Sequence, residues 1–190
     1  MAILPRLTAA ALLLLTLEFP TTARAESFSR SLDLQGVNFA IQAKGEGSQQ
    51  QLSITTRGTA RPIAPIKETV DGSVVDAQVA DLDGNGQPEI YVFVQGAGSG
   101  SYGQLVAYAL SNGKSAISPI VLQELSSSLA QGYQGHDRFE VVEGCLVRRF
   151  PIYRPGDSNA RATGGERQIC YKLKHGEASW ILRPTSVLKF

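Results

Sequence analysis

Short runs of β-branched, aromatic and alternating residues, each closed by turn chemistry, recur along most of the chain. Residues 28–34 alternate, and residues 37–43 (VNFAIQA) follow directly after Gln35-Gly36. Residues 51–55 and 74–80 continue the pattern, and residues 89–95 (EIYVFVQ) carry its strongest form. Residues 105–110 end at Asn112-Gly113, a hairpin dipeptide. Residues 117–122, 139–142, 145–150, 168–173 and 180–182 complete the series. Asp71-Gly72, Asn85-Gly86, Pro155-Gly156 and Gly164-Gly165 supply further turns. Only residues 126–131 read as briefly helical, with Ser126 as N-cap. This pattern predicts an all-β fold: an antiparallel β-sandwich or flattened barrel of about eight or more short strands. Tyr91, Phe93, Tyr108 and Trp180 are expected in its core or on a sheet face. No longer unit recurs, which argues against a propeller or solenoid.

The first 25 residues stand apart. Arg6 precedes the apolar run 7–17 (LTAAALLLLTL), and Ala23-Arg24-Ala25 offers small residues around a cleavage point. Charge, run and cleavage site in this order read as a secretory signal peptide, cut after Ala25. A buried core helix would not require that order, and the run is well short of the roughly 20 residues that cross a bilayer. Residues 26–190 then make one exported domain, expected in the periplasm. No cysteine follows the cleavage site to be acylated, and no second long apolar run follows, so membrane insertion of the product is not expected.

Charge narrows the partners. The chain holds 18 Lys and Arg against 17 Asp and Glu, which argues against nucleic-acid binding. The balance is uneven along the chain, with a net of −5 over residues 26–137 and +5 over residues 138–190. Cys145 and Cys170 are the only cysteines, and an oxidising compartment favours their disulfide. Closing the intervening loop is worth roughly 3 kcal/mol on a chain-entropy basis. The other reading, a reactive or metal-binding thiol pair, finds no zinc spacing with His136 or His175.

Residues 81–89 (DLDGNGQPE) place oxygen ligands at positions 1, 3, 5 and 9: Asp81, Asp83, Asn85 and Glu89. Hard cations want several such oxygens, and the glycines let the backbone curl around an ion. The segment resembles the calcium loops of integrin-type propeller blades. It lacks the acidic twelfth residue of an EF-hand, where Val92 stands. Two readings follow, a calcium loop and a metal-free turn in which Asx side chains cap their own backbone.

Other chemical signals are weaker. Gly98, Gly100 and Gly103 fit a dinucleotide-binding spacing after a strand, but residues 102–110 are too short for the helix that should follow. His136 and Asp137 are adjacent residue types of acid–base catalysis, yet sequence neighbours on a strand point to opposite sides. Ser99 and Ser101 have no identifiable base. The chain is therefore expected not to be an enzyme. What remains is a glycine-rich tip at residues 96–103 (GAGSGSYG), which would project as an adaptable loop. Tyr102 is its one large side chain, and tyrosine is a favoured interface anchor.

Ser99-Gly100-Ser101-Tyr102 between two strands, the export signal, and residues 132–153 (GYQGHDRFEVVEGCLVRRFPIY) together resemble the periplasmic inhibitors of invertebrate-type (i-type) lysozyme. Residues 71–73, 80–83, 88–91, 156–159, 163–165 and 171–173 extend the likeness over roughly residues 28–183. The resemblance implies an antiparallel β-sandwich, often a homodimer, whose partner is an i-type lysozyme. It also implies that a Ser-Gly-x-Tyr loop enters the enzyme's cleft and engages its catalytic carboxylates. Carried onto this chain, that role falls on Ser99 and Tyr102, with Gly100 and Ser101 between them in the loop. No cofactor is part of that picture. The competing reading is a calcium-dependent exported binding module built on residues 81–89.

Overall fold

A computed structural model describes residues 26–45, 47–177 and 179–190. The expected signal peptide and its cleavage point lie outside the described residues. Two-residue turns set the first register. Gln35 (φ +51) and Gly36 (φ +78) join β1 (Glu26–Leu34) to β2 (Val37–Gly45), with Leu34 opposite Val37. Positive φ at both turn positions matches the right-handed twist of the flanking strands. β3 (Gln49–Arg57) and β4 (Ile66–Asp71) complete a four-stranded antiparallel sheet in chain order. β4 was not legible as a strand, because its sequence IKETVD buries only Val70.

At Gly72 the chain passes to a second sheet. A Cβ there would stand 2.3 Å from the Gln95 carbonyl oxygen, and φ is +137, so the close crossing needs glycine. The second sheet has eight strands, ordered β5-β6-β7-β8-β12-β11-β10-β9. Its members are β5 (Ser73–Ala80), β6 (Glu89–Gln95), β7 (Gly103–Ser111), β8 (Ala116–Leu122), β9 (Arg138–Val142), β10 (Cys145–Pro151), β11 (Glu166–His175) and β12 (Trp180–Lys189). Its edges approach each other, and Val141 N donates to Gln78 Oε1 at 2.8 Å between β9 and β5. The sheet is thus an almost closed barrel. The all-β expectation is borne out, with one departure from a purely antiparallel arrangement: β12 lies parallel to β8, Trp180 opposite Ile120. Parallel neighbours require a long crossover, and the chain through β9–β11 provides it.

β6 explains why two cores coexist. Glu89, Ile90, Tyr91, Val92, Phe93 and Val94 are all buried, so this strand is covered on both faces. Ile90, Val92 and Val94 join Phe39, Ile41, Leu52 and Ile54 between the sheets. Tyr91 and Phe93 face the barrel interior with Leu146, Phe150, Ile169, Tyr171 and Leu182. Each fully buried side chain of this size contributes about 1.5–3 kcal/mol. The expectation of core or sheet-face aromatics is borne out: Tyr91 and Phe93 are buried in the core, and Tyr108 on β7 and Trp180 on β12 are partly buried against the two cores. Cys145 and Cys170 form a disulfide across β10 and β11. Residues 126–131 form a turn rather than a helix: Ala130 N bonds Ser126 O at 2.8 Å, and the bond is not propagated. A helix needs several such bonds to offset the cost of its first turn.

Candidate functional site: a buttressed loop at the barrel rim

The loop from β6 to β7 closes on itself first. Gly96 N donates to Tyr102 O at 2.9 Å, and Ser101 N to Gly98 O at 2.8 Å. Ser101 takes φ +41, a left-handed conformation that a side-chain-bearing residue adopts only when its surroundings hold it there. The surroundings here are two further loops. His136 N donates to Gly100 O at 2.6 Å, and Asn159 Nδ2 donates to Ser99 O, also at 2.6 Å. At Gly135, φ is +92 and a Cβ would stand 2.1 Å from Gly100 O, so the two backbones meet only because no side chain intervenes. The tip was expected to be adaptable; instead its backbone is fastened on two sides.

Beneath the tip lies a buried ion pair. Arg148 Nε donates to Asp137 Oδ1 at 2.7 Å, and Asp137 Oδ2 accepts from Gly103 N at 2.8 Å and from the Tyr133 hydroxyl at 2.6 Å. Arg148 also donates to the Tyr133 hydroxyl at 2.8 Å, and its guanidinium lies 5.0–5.6 Å from the ring centres of Tyr133, Phe139 and Phe150. The Asp137 side chain is 0% exposed. Burial works against the charge on Arg148, but the adjacent Asp137 outweighs it and holds the guanidinium's pKa above its usual value. Burial, reinforced by Asp137, pushes the Tyr133 phenol up. Every partner of Asp137 is therefore structural. His136 turns instead to Asn159 Oδ1 at 3.3 Å, so the adjacent pair is not assembled as an acid–base couple.

The side chains presented outward are few. Ser99 is exposed, Gly100 buried, Ser101 half-buried, and Tyr102 half-exposed at 50%. The Tyr102 ring stands edge-on to Tyr133, with centroids 5.6 Å apart and planes at 85°. Its position is also constrained by Gly100, where a Cβ would meet the ring at 2.5 Å. Among the described residues, neither Ser99 Oγ nor the Tyr102 hydroxyl has a hydrogen-bond partner. Tyr102, Leu122, Glu124, Leu125 and Tyr133 line an open groove of about 450 Å³ beside the tip. Asp137 drew notice in the sequence only as half of an acid–base pair with His136, and the supporting residues Tyr133, Gly135, Arg148 and Asn159 carry no local signal of their own. They were marked only as parts of the segments on which the family resemblance rests.

Residues 81–88 lie at the other end of β6. Asp81 accepts from Asn85 N at 3.0 Å, Gly86 N at 2.9 Å and Gln35 Nε2 at 2.6 Å. Asp83 accepts from Asn85 N at 3.0 Å and Asn85 Nδ2 at 2.8 Å, while Asn85 Oδ1 accepts from Gln87 N at 2.7 Å. Asx capping of the turn is thus present. Carboxylate oxygens of Asp81, Asp83 and Glu89 also gather within 4.8 Å of one another.

Fold and loops define an all-β protein, a barrel with a four-stranded sheet against it, that presents a fastened glycine-rich loop at one end. Residues 61–128 match the family model described as "Periplasmic lysozyme inhibitor of I-type lysozyme", and the resemblance read from the sequence is borne out over this stretch. The match takes in β4 to β8, the loop at 81–88 and the tip at 96–103. The buttressing loops and both cysteines fall beyond it. No curated protein and no solved structure matches the chain significantly.

Proposed function

We propose that the protein is an exported inhibitor of I-type lysozyme whose loop of Ser99, Gly100, Ser101 and Tyr102 occupies the enzyme's cleft. The carrying observation is that the family match spans a loop presenting two unpartnered hydroxyls, Ser99 Oγ and Tyr102 Oη, on a fastened backbone. Glycosidases keep a pair of carboxyl groups in the cleft, one serving as general acid. A serine and a tyrosine hydroxyl can donate to such a pair, and the apolar ring of Tyr102 fills space that a sugar would take. Because the tip is ordered before binding, association loses little conformational entropy at the loop. The protein acts by occupancy and contributes no catalytic group. Rim charges around the cleft would then set which lysozymes are bound.

Clearing of a bacterial cell-wall suspension by i-, c- and g-type lysozymes, each with excess protein added, tests the reading. Suppression of the i-type enzyme supports it. Unchanged i-type activity at micromolar excess would overturn it.

A further inference from the structure

Glu89 opens β6 with its side chain 0% exposed. Its Oε2 accepts from Leu82 N at 2.7 Å and from the Tyr91 hydroxyl at 3.2 Å. Its Oε1 is buried with no hydrogen-bond partner. An unsatisfied carboxylate oxygen in a protein interior is costly and demands an explanation. Two further carboxylates lie beside it. Asp81 and Asp83 offer oxygens within 4.8 Å, and among the described residues the ion pairs are Arg30–Asp76, Arg138–Glu166 and Arg148–Asp137, none of which reaches this cluster. Among the described residues, the three carboxylates converge with no ion pair to a protein cation.

We propose that Asp81, Asp83 and Glu89 bind a calcium ion, with the unpartnered Glu89 oxygen as its buried ligand. The donor chemistry is all oxygen and all hard, which suits calcium. Gly86, at φ +77, occupies the sixth position counted from Asp81, where calcium loops turn sharply. Asp81 and Asp83 come from the loop and Glu89 from the strand, so the ion would clamp the β5–β6 connection onto the barrel wall. Burial chiefly, with the two aspartates adding to it, raises the Glu89 carboxyl to about 8 when no cation is bound. The competing account is that a proton alone neutralises the site. The ion would sit at the end of β6 opposite the Ser99–Tyr102 loop, so its effect falls on stability rather than on contact with a target.

The experiment is calcium titration of the chelator-treated mature protein, followed by calorimetry and by thermal melting. A saturable heat and a rise in melting temperature that grows with calcium concentration are expected. Asp83→Asn, at a residue that retains solvent access, should fold normally and weaken calcium binding at least tenfold. Glu89→Gln should melt at the same temperature with calcium or with chelator. No saturable heat up to millimolar calcium, or an unchanged melting response in Asp83→Asn, would overturn the site. So would a melting temperature of the parent that is insensitive to calcium while Glu89→Gln is more stable than it, since that is the behaviour of a proton-neutralised carboxyl.

Discussion

The side-chain amide of Asn159 donates to the main-chain carbonyl of Ser99 at 2.6 Å, joining two loops that lie 60 positions apart. This bond fixes the backbone of one of the two residues whose hydroxyls are proposed to engage a glycosidase carboxyl pair. Asn159→Ala removes it without touching either hydroxyl at the tip. Since Asn159 is exposed, stability should change by less than about 1 kcal/mol, while the affinity for I-type lysozyme falls about three- to tenfold, the worth of one neutral hydrogen bond. Parallel melting and inhibition curves for this one variant separate the two effects.

Gly100 and Gly135 test the same fastening from the other side. A Cβ at Gly135 would stand 2.1 Å from Gly100 O, in a backbone conformation that also penalises alanine. Gly135→Ala should therefore destabilise by about 1–3 kcal/mol and loosen the tip. Gly100→Ala would instead press on the Tyr102 ring, 2.5 Å away, and should weaken inhibition more than stability. Equal loss of both properties in the two variants would count against separate roles.

The pair Arg148–Asp137 is a different kind of support. Arg148→Met would leave a carboxylate that is 0% exposed without its cation, and breaking a buried pair in this way costs about 3–5 kcal/mol. Asp137 also holds Gly103 N, at the base of the tip, so stability and inhibition should fall together. Urea unfolding gives the first and enzyme assay the second. A variant of near-parental stability would mean that solvent reaches Asp137.

The disulfide should matter to stability alone. Cys145 and Cys170 link neighbouring strands, and neither belongs to the loops at the rim. Reduction is expected to cost about 2–4 kcal/mol and lower the melting temperature. Inhibition measured well below that temperature should persist. Alkylation followed by mass spectrometry checks the bond itself, and free thiols in native oxidised material would exclude it.

What the sequence made legible follows from where each element's information is stored. β6 was read with its full bounds because a strand buried on both faces is apolar at nearly every position. β4 escaped because IKETVD alternates on an exposed edge and buries a single valine. β12 was read only to Leu182, since most residues beyond it are exposed and its pairing with β11 holds it in place. The tip was visible because its glycines and Tyr102 are contiguous. Its fastening was not, because Gly100 meets Gly135, Gly103 meets Asp137 and Ser99 meets Asn159 only after the chain has closed the barrel. The loop at 81–89 carried a readable ligand spacing, but only the fold buries Glu89 and leaves one of its oxygens without a partner.

Tyr102 bears most directly on inhibition through the loop. It is half-exposed, its hydroxyl is unpartnered, and its main internal contact is the edge of Tyr133. The deciding measurement is the inhibition constant of the parent and of Tyr102→Ala against an I-type lysozyme, with the melting temperature of each determined alongside. Loss of an anchoring tyrosine costs about 2 kcal/mol or more, so a rise of about thirtyfold in the constant is expected with little change in melting. If Tyr102→Ala inhibits as well as the parent and melts at the same temperature, the loop is not the inhibitory element, and the binding surface lies elsewhere on the protein.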